Sequence, residues 1–347
     1  MRRPELLLFV TEISNTDIRS IQYLRGIAAL AVFGFHLNHN FNFGFYVGTA
    51  GVDIFFLISG FIMWVTTVDR AVSPAEFMYR RIARVVPLYW IVTLTMVAAV
   101  LVRPNFFPDV DASAANVVGS LLFLPNINVS ALFPVVHQGW TLTYEMFFYI
   151  IFAASLCIRQ DYRLPAIVSS LIFLSLLHPL VPDGYGAVFT DTLLLEFAAG
   201  VLIGAAWAKG KSVPVPVALA AVIAGVVWLA VENFSPLGLE RVIKFGGPAA
   251  LIVGGLVFVE RRMELPHFRF LQLCGDASYS IYLWHVLVGV VIMGLALRVG
   301  VGGILMPIMI TVGSIAITLL AYVFVEEPIN RYFRVRRKRR LAASGAY

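Results

Sequence analysis

Apolar runs long enough to cross a bilayer follow one another along this chain, separated by short polar breaks. Runs of about 17 to 25 apolar residues mark candidate membrane helices. In the first half they fall near residues 19–40, 50–68, 85–102, 139–158 and 164–180, and in the second near 190–208, 214–231, 245–260, 277–298 and 303–325. The pattern predicts an all-α fold, a polytopic transmembrane bundle of about ten helices, because only structures that satisfy their own backbone polar groups span lipid. Residues 117–124, closed by Pro125, are apolar but too few to span, and are expected as an interfacial or re-entrant helix. No polar stretch is long enough to fold separately. Residues 1–18 are therefore expected as an N-terminal tail, 19–325 as one transmembrane domain, and 326–347 as a basic C-terminal tail.

An even number of spans puts both termini on one side, and the basic residues test that parity independently of hydropathy. With the termini inside, Arg2, Arg3, Arg19, Arg70, Arg80, Arg81, Arg84, Arg159, Arg163, Lys209, Lys211, Arg261, Arg262, Arg269 and the tail cluster all fall at the inner face. Arg103, Arg241, Lys244 and Arg298 fall outside. One helix more or fewer would scatter successive basic loops over both faces, so the asymmetry favours ten spans with both termini cytoplasmic.

Composition agrees. The 347 residues are 60% hydrophobic and 13% charged, and the mean hydropathy of +0.85 excludes a soluble globular domain. The net charge of +6 could suggest a nucleic-acid partner. Seven of the basic residues, however, lie between 331 and 340, just after the last apolar run, where anionic lipid headgroups explain them better. Residues 1–20 open with arginines and hold only a short apolar run at 6–10. No small-residue cleavage site follows, so the tail is expected to be retained. Cys157 and Cys274, the two cysteines, both fall near the cytoplasmic face and are expected to be packing residues.

Against this apolar background a few polar side chains stand out. Arg25 and His36 are eleven residues apart in the first span, which leaves them about 20° apart around a helix and roughly 16 Å apart along it. Ionisable groups at membrane depth normally face a bundle interior or a wet cavity, so the shared stripe suggests a polar path into the bilayer. Arg25 falls in the inner third, and His36 and Glu145 at similar depths beyond the midplane. Asp53 opens the second span at the outer surface, Ser59 lies near mid-membrane, and His285 just inside the midplane. Each has a structural alternative. Arg25 could snorkel to the inner surface, Glu145 could pair with Arg25, Asp53 could cap a helix, and Ser59-Gly60 could be a close-packing pair. His39 follows His36 at the outer mouth without an evident third ligand, so no metal is expected.

Several strings occur in an order that resembles a known family. They are Arg25 with ten residues before His36, Gly51-Val52-Asp53-Ile54-Phe55-Phe56-Leu57-Ile58-Ser59-Gly60-Phe61, Arg80-Arg81-Ile82-Ala83-Arg84, Gly139-Trp140-Thr141-Leu142-Thr143-Tyr144-Glu145, Ser280-Ile281-Tyr282-Leu283-Trp284-His285 and Glu326-Glu327-Pro328. Together they resemble the acyltransferase-3 family of integral membrane acyltransferases, in its exopolysaccharide acetyltransferase-like branch, over residues 20–333. The resemblance implies transfer of an acyl group, usually acetyl, from cytoplasmic acyl-CoA to a hydroxyl of a cell-surface or exported glycan, or of a lipid-linked sugar, in a bacterial inner membrane. Many relatives carry an additional periplasmic esterase-like domain. This chain ends at Tyr347 without one, so the bundle is expected to do the chemistry itself.

On that reading His36 is the general base, since a histidine with an ordinary pKa near 6.5 suits deprotonation of a hydroxyl, and Glu145 orients its imidazole. Arg25, Arg80, Arg81 and Arg84 hold the donor phosphates. Asp53, Ser59, Trp140, Tyr144, His285 and His39 are candidate lining residues of the substrate cavity. No serine or cysteine has a convincing nucleophile setting, which favours direct transfer. The rival reading is a transporter or flippase of an anionic lipid-linked sugar, with the same intramembrane charges as its path. No internal repeat supports it.

Overall fold

A computed structural model of the chain describes residues 18–125, 133–182 and 184–343. The expected N-terminal tail thus lies, apart from Ile18, outside the described residues. The helices in order are α1 (Arg19–Phe41), α2 (Ala50–Val65), α3 (Pro74–Val102), α4 (Ala114–Leu121), α5 (Trp140–Ser155), α6 (Gln160–Leu177) and α7 (Tyr185–Thr190). There follow α8 (Leu194–Ala208), α9 (Val215–Phe234), α10 (Gly247–Glu260), α11 (Arg269–Asp276), α12 (Ser278–Arg298), α13 (Leu305–Ala321) and α14 (Glu327–Ala343). The described residues contain no strand.

All ten expected spans appear as helices: α1, α2, α3, α5, α6, α8, α9, α10, α12 and α13. Eight helical stretches are long and apolar enough to cross a membrane by length and composition, and the protein is a multi-pass membrane bundle. The two that fall short are instructive. The interior of α1 carries Arg25, His36 and His39, and α5 has only 16 residues. Both helices contribute side chains to the cavity described below.

The boundaries moved most where arginines crowd a helix end. The third span begins at Pro74 rather than near 85, because Ser73 caps it by accepting a hydrogen bond from the Glu76 backbone N–H at 3.2 Å, with Pro74 at the first helical position. Residues 326–343, expected as a tail, continue helically: a π-helical turn at Tyr322–Glu326 joins α13 to α14. Residues 117–124 largely form the short helix α4, whose Leu121 carbonyl accepts from Trp90 Nε1 on α3 at 2.9 Å.

Small residues set the closest crossing. A Cβ on Gly60 of α2 would lie 2.2 Å from the Phe197 carbonyl oxygen of α8, and one on Gly200 would lie 2.1 Å from that of Leu57. Two membrane helices approach this closely only through glycine. One end of the bundle, here the basic end, holds the start of α1: Glu260, closing α10, accepts from the backbone N–H groups of Arg19 and Ser20 at 2.7 and 2.8 Å. At the same end Glu76 of α3 pairs with Arg80 at 2.8 Å, and with Arg337 at 2.5 Å and Arg340 at 2.9 Å of α14. Of the two cysteines, both free, Cys274 is buried and Cys157 is exposed.

Candidate active site

A cavity of about 340 Å³ enters the bundle among α1, α2, α3, α5 and α12. Toward the basic end its wall carries Arg25, Arg81 and Arg84. Arg25 donates to Ser278 Oγ at 2.9 Å and to Gln22 Oε1 at 3.3 Å. Arg81 lies over the rings of Phe77 and Tyr149, at 5.6 and 6.0 Å, and its buried Nε has no hydrogen-bond partner. Among the described residues none of these three guanidinium groups makes an ion pair with a carboxylate. Asp276, Glu145 and Glu326 are electrostatic neighbours of Arg25, and the three clustered guanidinium groups offer N–H donors suited to an anionic ligand. Arg80 departs from the expectation: its guanidinium is engaged by Glu76, and it does not line the cavity.

The expected partnership of Glu145 with His36 is not found. Glu145 Oε1 accepts from Ser59 Oγ of α2 at 3.2 Å and from the hydroxyl of Tyr149, one turn further along α5. Similar depth placed Glu145 and His36 at one level, but depth is only one coordinate. The rotation of α5 turns Glu145 toward α2 and into the cavity beside Tyr149. Ser59 lines the cavity.

The partner of His36 is His285. Their rings stand 4.9 Å apart between centroids at 64°, with His285 Nε2 at 3.2 Å from His36 Nδ1. His36 Nδ1 also lies 2.9 Å from the Val32 carbonyl oxygen. His285 is buried, and its Nδ1 lies 3.0 and 2.8 Å from the carbonyl oxygens of Ile281 and Tyr282. The half-buried His36 does not line the cavity, whose lining includes Phe55, Thr141 and Tyr282. The hydroxyls of Thr141 and Tyr282 lie 2.9 Å apart, and both hydrogen-bond the Gln138 carbonyl oxygen. Tyr282 links the two regions, for it lines the cavity and its ring lies 6.3 Å from that of His285. His39 is exposed, and His137 lies within electrostatic reach of His36. Among the described residues no group of three or more histidine, cysteine or acidic side chains is placed to hold a metal.

Asp53, Trp140 and Tyr144 belong to a separate cluster toward the other end of the bundle. Wholly buried Asp53 accepts from Arg241 Nη2 at 2.9 Å, and the Arg241 guanidinium also lies 5.8 Å above the Trp140 ring. Tyr144 donates to Asp191 Oδ2 at 3.1 Å. Beside Asp53 lies buried Glu196, against which Gly246 packs from a π-helical turn at Val242–Gly246. Sequence reasoning missed Arg241, Glu196, Tyr149 and Tyr282. Glu196 was detectable as a carboxylate inside an apolar span, whereas Arg241 had the appearance of an ordinary loop base.

Glu326 accepts from the backbone N–H and Oγ of Ser280 at 3.1 and 2.7 Å, in the first turn of α12. Glu327 pairs with Arg334, at 2.6 Å.

A helical membrane bundle with a cationic cavity reaching toward a histidine pair is the architecture of a membrane-embedded group-transfer enzyme. The sequence matches the acyltransferase-3 family, described as an acyltransferase domain, over residues 18–326, and the chain belongs to that family. It is similar to the exopolysaccharide production protein ExoZ of Rhizobium meliloti, with 37% identity over 312 residues covering 87% of this chain and 96% of ExoZ. It is also similar to the peptidoglycan O-acetyltransferase OatA of Listeria monocytogenes, at 25% identity over 92% of this chain and 57% of OatA. Staphylococcus aureus OatA stands at 24% identity, over 90% of this chain and 58% of its own length. The chain thus spans a little over half of either OatA. No solved structure matches it.

Proposed function

We propose that this acyltransferase moves an acetyl group from acetyl-CoA, bound at the basic end, to a hydroxyl of an exported or cell-surface polysaccharide, with His36 as general base. The carrying observation is the cavity. Three guanidinium groups without ion pairs, Arg25, Arg81 and Arg84, ring its basic end, and a coenzyme A molecule would place phosphates there with its narrow pantetheine arm running inward. The asymmetry of basic residues supports a cytoplasmic basic end and an inner-membrane location. ExoZ and OatA support a polysaccharide acceptor by their names.

In this reading His36 Nε2 takes the proton of the acceptor hydroxyl as its oxygen attacks the thioester carbonyl. The carbon–sulfur bond then breaks, and the same nitrogen returns the proton to the departing thiolate. His36 does not line the cavity, whereas Tyr282 lines it and its ring lies 6.3 Å from that of His285, so the thioester reaches His36 past Tyr282.

The test is transfer or hydrolysis of radiolabelled acetyl-CoA by the protein reconstituted in lipid nanodiscs. Wild type turns the donor over, and His36→Ala binds it but does not. Absence of donor binding by the wild type, or full turnover by His36→Ala, overturns the reading.

A further inference from the structure

The hydrogen-bond geometry around the histidine pair fixes where each proton sits. A carbonyl oxygen can only accept, so His285 Nδ1, within 3.0 Å of two carbonyl oxygens, carries a hydrogen. In the neutral ring that leaves His285 Nε2 as a lone-pair acceptor. It faces His36 Nδ1, which also faces the Val32 carbonyl oxygen. Both neighbours of His36 Nδ1 are thus acceptors. His36 therefore carries its own hydrogen on Nδ1, shared between Val32 and His285, and its Nε2 is left bare. That nitrogen has no hydrogen-bond partner among the described residues.

We infer that His285 is a positioning residue for acyl transfer: it accepts from His36 Nδ1–H, holding the tautomer whose free Nε2 is basic and stabilising the imidazolium that forms when Nε2 takes a proton. This rests on His36 acting as the base. The arrangement has the logic of a catalytic triad, in which a buried acceptor behind the imidazole sets its tautomer and orientation. Here the acceptor is a second neutral imidazole, anchored in turn by its own α12 carbonyls. A carboxylate in that position would have to be desolvated as a full charge, whereas a neutral histidine supplies the lone pair without one. During transfer the Nδ1 proton stays between the two rings, and only the Nε2 proton moves, from acceptor hydroxyl to departing sulfur.

The second anchor matters because the Val32 carbonyl alone does not hold the ring plane. It lies on the same helix one turn back, and rotation about the side chain swings Nδ1 off it. His285 arrives from α12 and pins the ring from a second direction. The other titratable groups that face His36 are His39 on α1 and His137 ahead of α5, both within electrostatic reach of it. Neither is hydrogen-bonded to it.

The experiment compares His285→Leu, His285→Gln and His36→Ala in nanodiscs, reading kcat, KM for acetyl-CoA and the pH profile of kcat. Glutamine restores an acceptor near the former Nε2; leucine does not. We expect His285→Leu to lower kcat about 100-fold or more, within the range attributed to a correctly held general base, with KM for the donor within about twofold. The acidic limb of its profile should move to lower pH, because the bond it lacks favours protonated His36. His285→Gln should recover kcat to within about tenfold of wild type. Wild-type kcat and an unmoved acidic limb in His285→Leu overturn the inference while leaving His36 as the base, and equal loss in folded Leu and Gln variants also overturns it. Full activity in His36→Ala instead overturns the reading on which it rests. Should the leucine variant fail to bind donor because it does not fold, His285→Gln decides alone: activity within tenfold supports the acceptor role, and its loss refutes it.

Discussion

Ser59 on α2 donates to Glu145 on α5 across 3.2 Å, and the same carboxylate oxygen accepts from Tyr149. This contact ties the wall of the cavity together and gives Glu145 other partners than His36, which depth alone would place beside it. Glu145 supplies negative charge beside Arg25 and Arg81, while the imidazole of His36 is held by Val32 and His285. Tyr282 stands between the cavity and the histidine pair, lining the cavity while its ring lies 6.3 Å from that of His285.

The first prediction follows directly. Because Glu145 is not bonded to His36, Glu145→Gln should leave the acidic limb of the kcat–pH profile in place while changing KM for acetyl-CoA through the altered charge of the cavity. Ser59→Ala should remove one intramembrane hydrogen bond and lower stability by about 0.6 kcal/mol, the average for such bonds. Steady-state kinetics across pH and reversible unfolding in mixed micelles check the two halves. A limb displaced in Glu145→Gln as far as in His285→Leu would restore Glu145 as the partner of His36.

The wholly buried Asp53 leans on the part-exposed Arg241. Removing one member of a buried pair strands the other's charge and costs about 3–5 kcal/mol. Since Arg241 retains some solvent, Arg241→Gln is expected at the lower end of that range, about 3 kcal/mol. The double variant Arg241→Gln with Asp53→Asn should lose less than the sum of the single losses. Unfolding midpoints of the purified proteins give the coupling, and additive losses would mean that the ion pair contributes nothing specific.

The sequence exposed the helix count because a bilayer demands about 20 apolar residues from each span, whatever the span packs against. It hid the start of α3 and the whole of α14, because an arginine-rich turn at a membrane edge has the hydropathy of a loop although its long side chains allow a helix. At the site, His36 and His285 each stood out as intramembrane histidines, but their contact joins residues 249 apart in sequence, and only packing shows that. Glu145 illustrates the limit from the other side. Rise per residue gave its depth, while its direction came from the rotation of α5, which the sequence pattern leaves open. Arg241 looked like a loop base, and its contact with Asp53 joins residues 188 apart in sequence.

Glu76 collects Arg80, Arg337 and Arg340 at the basic end, so it holds α14 against α3. The arginines of α14 are partly exposed, and each such pair contributes up to about 1 kcal/mol. Glu76→Gln should therefore loosen α14 without unfolding the bundle. Limited trypsin digestion should cut within residues 331–340 several times faster in the variant than in wild type, and added salt should narrow the difference as it screens the wild-type pairs. Identical digestion rates at low salt would show that the clamp does not hold the helix.

The arginines of one helix turn are predicted to divide by function. Arg81 and Arg84 line the cavity without ion pairs, whereas Arg80 is bound to Glu76 and faces away from it. A charge-assisted hydrogen bond to a phosphate contributes about 1.5–3 kcal/mol, so Arg84→Ala should weaken acetyl-CoA binding about 10- to 100-fold. Arg80→Ala, four positions away and equally basic, should leave donor affinity within about twofold of wild type, because its charge is already spoken for by Glu76. Binding of acetyl-CoA to each variant in nanodiscs, measured by calorimetry, separates the two. If both substitutions weaken the donor equally, the cluster acts as a diffuse positive field and the cavity does not select its phosphate ligands; if neither does, the donor binds elsewhere.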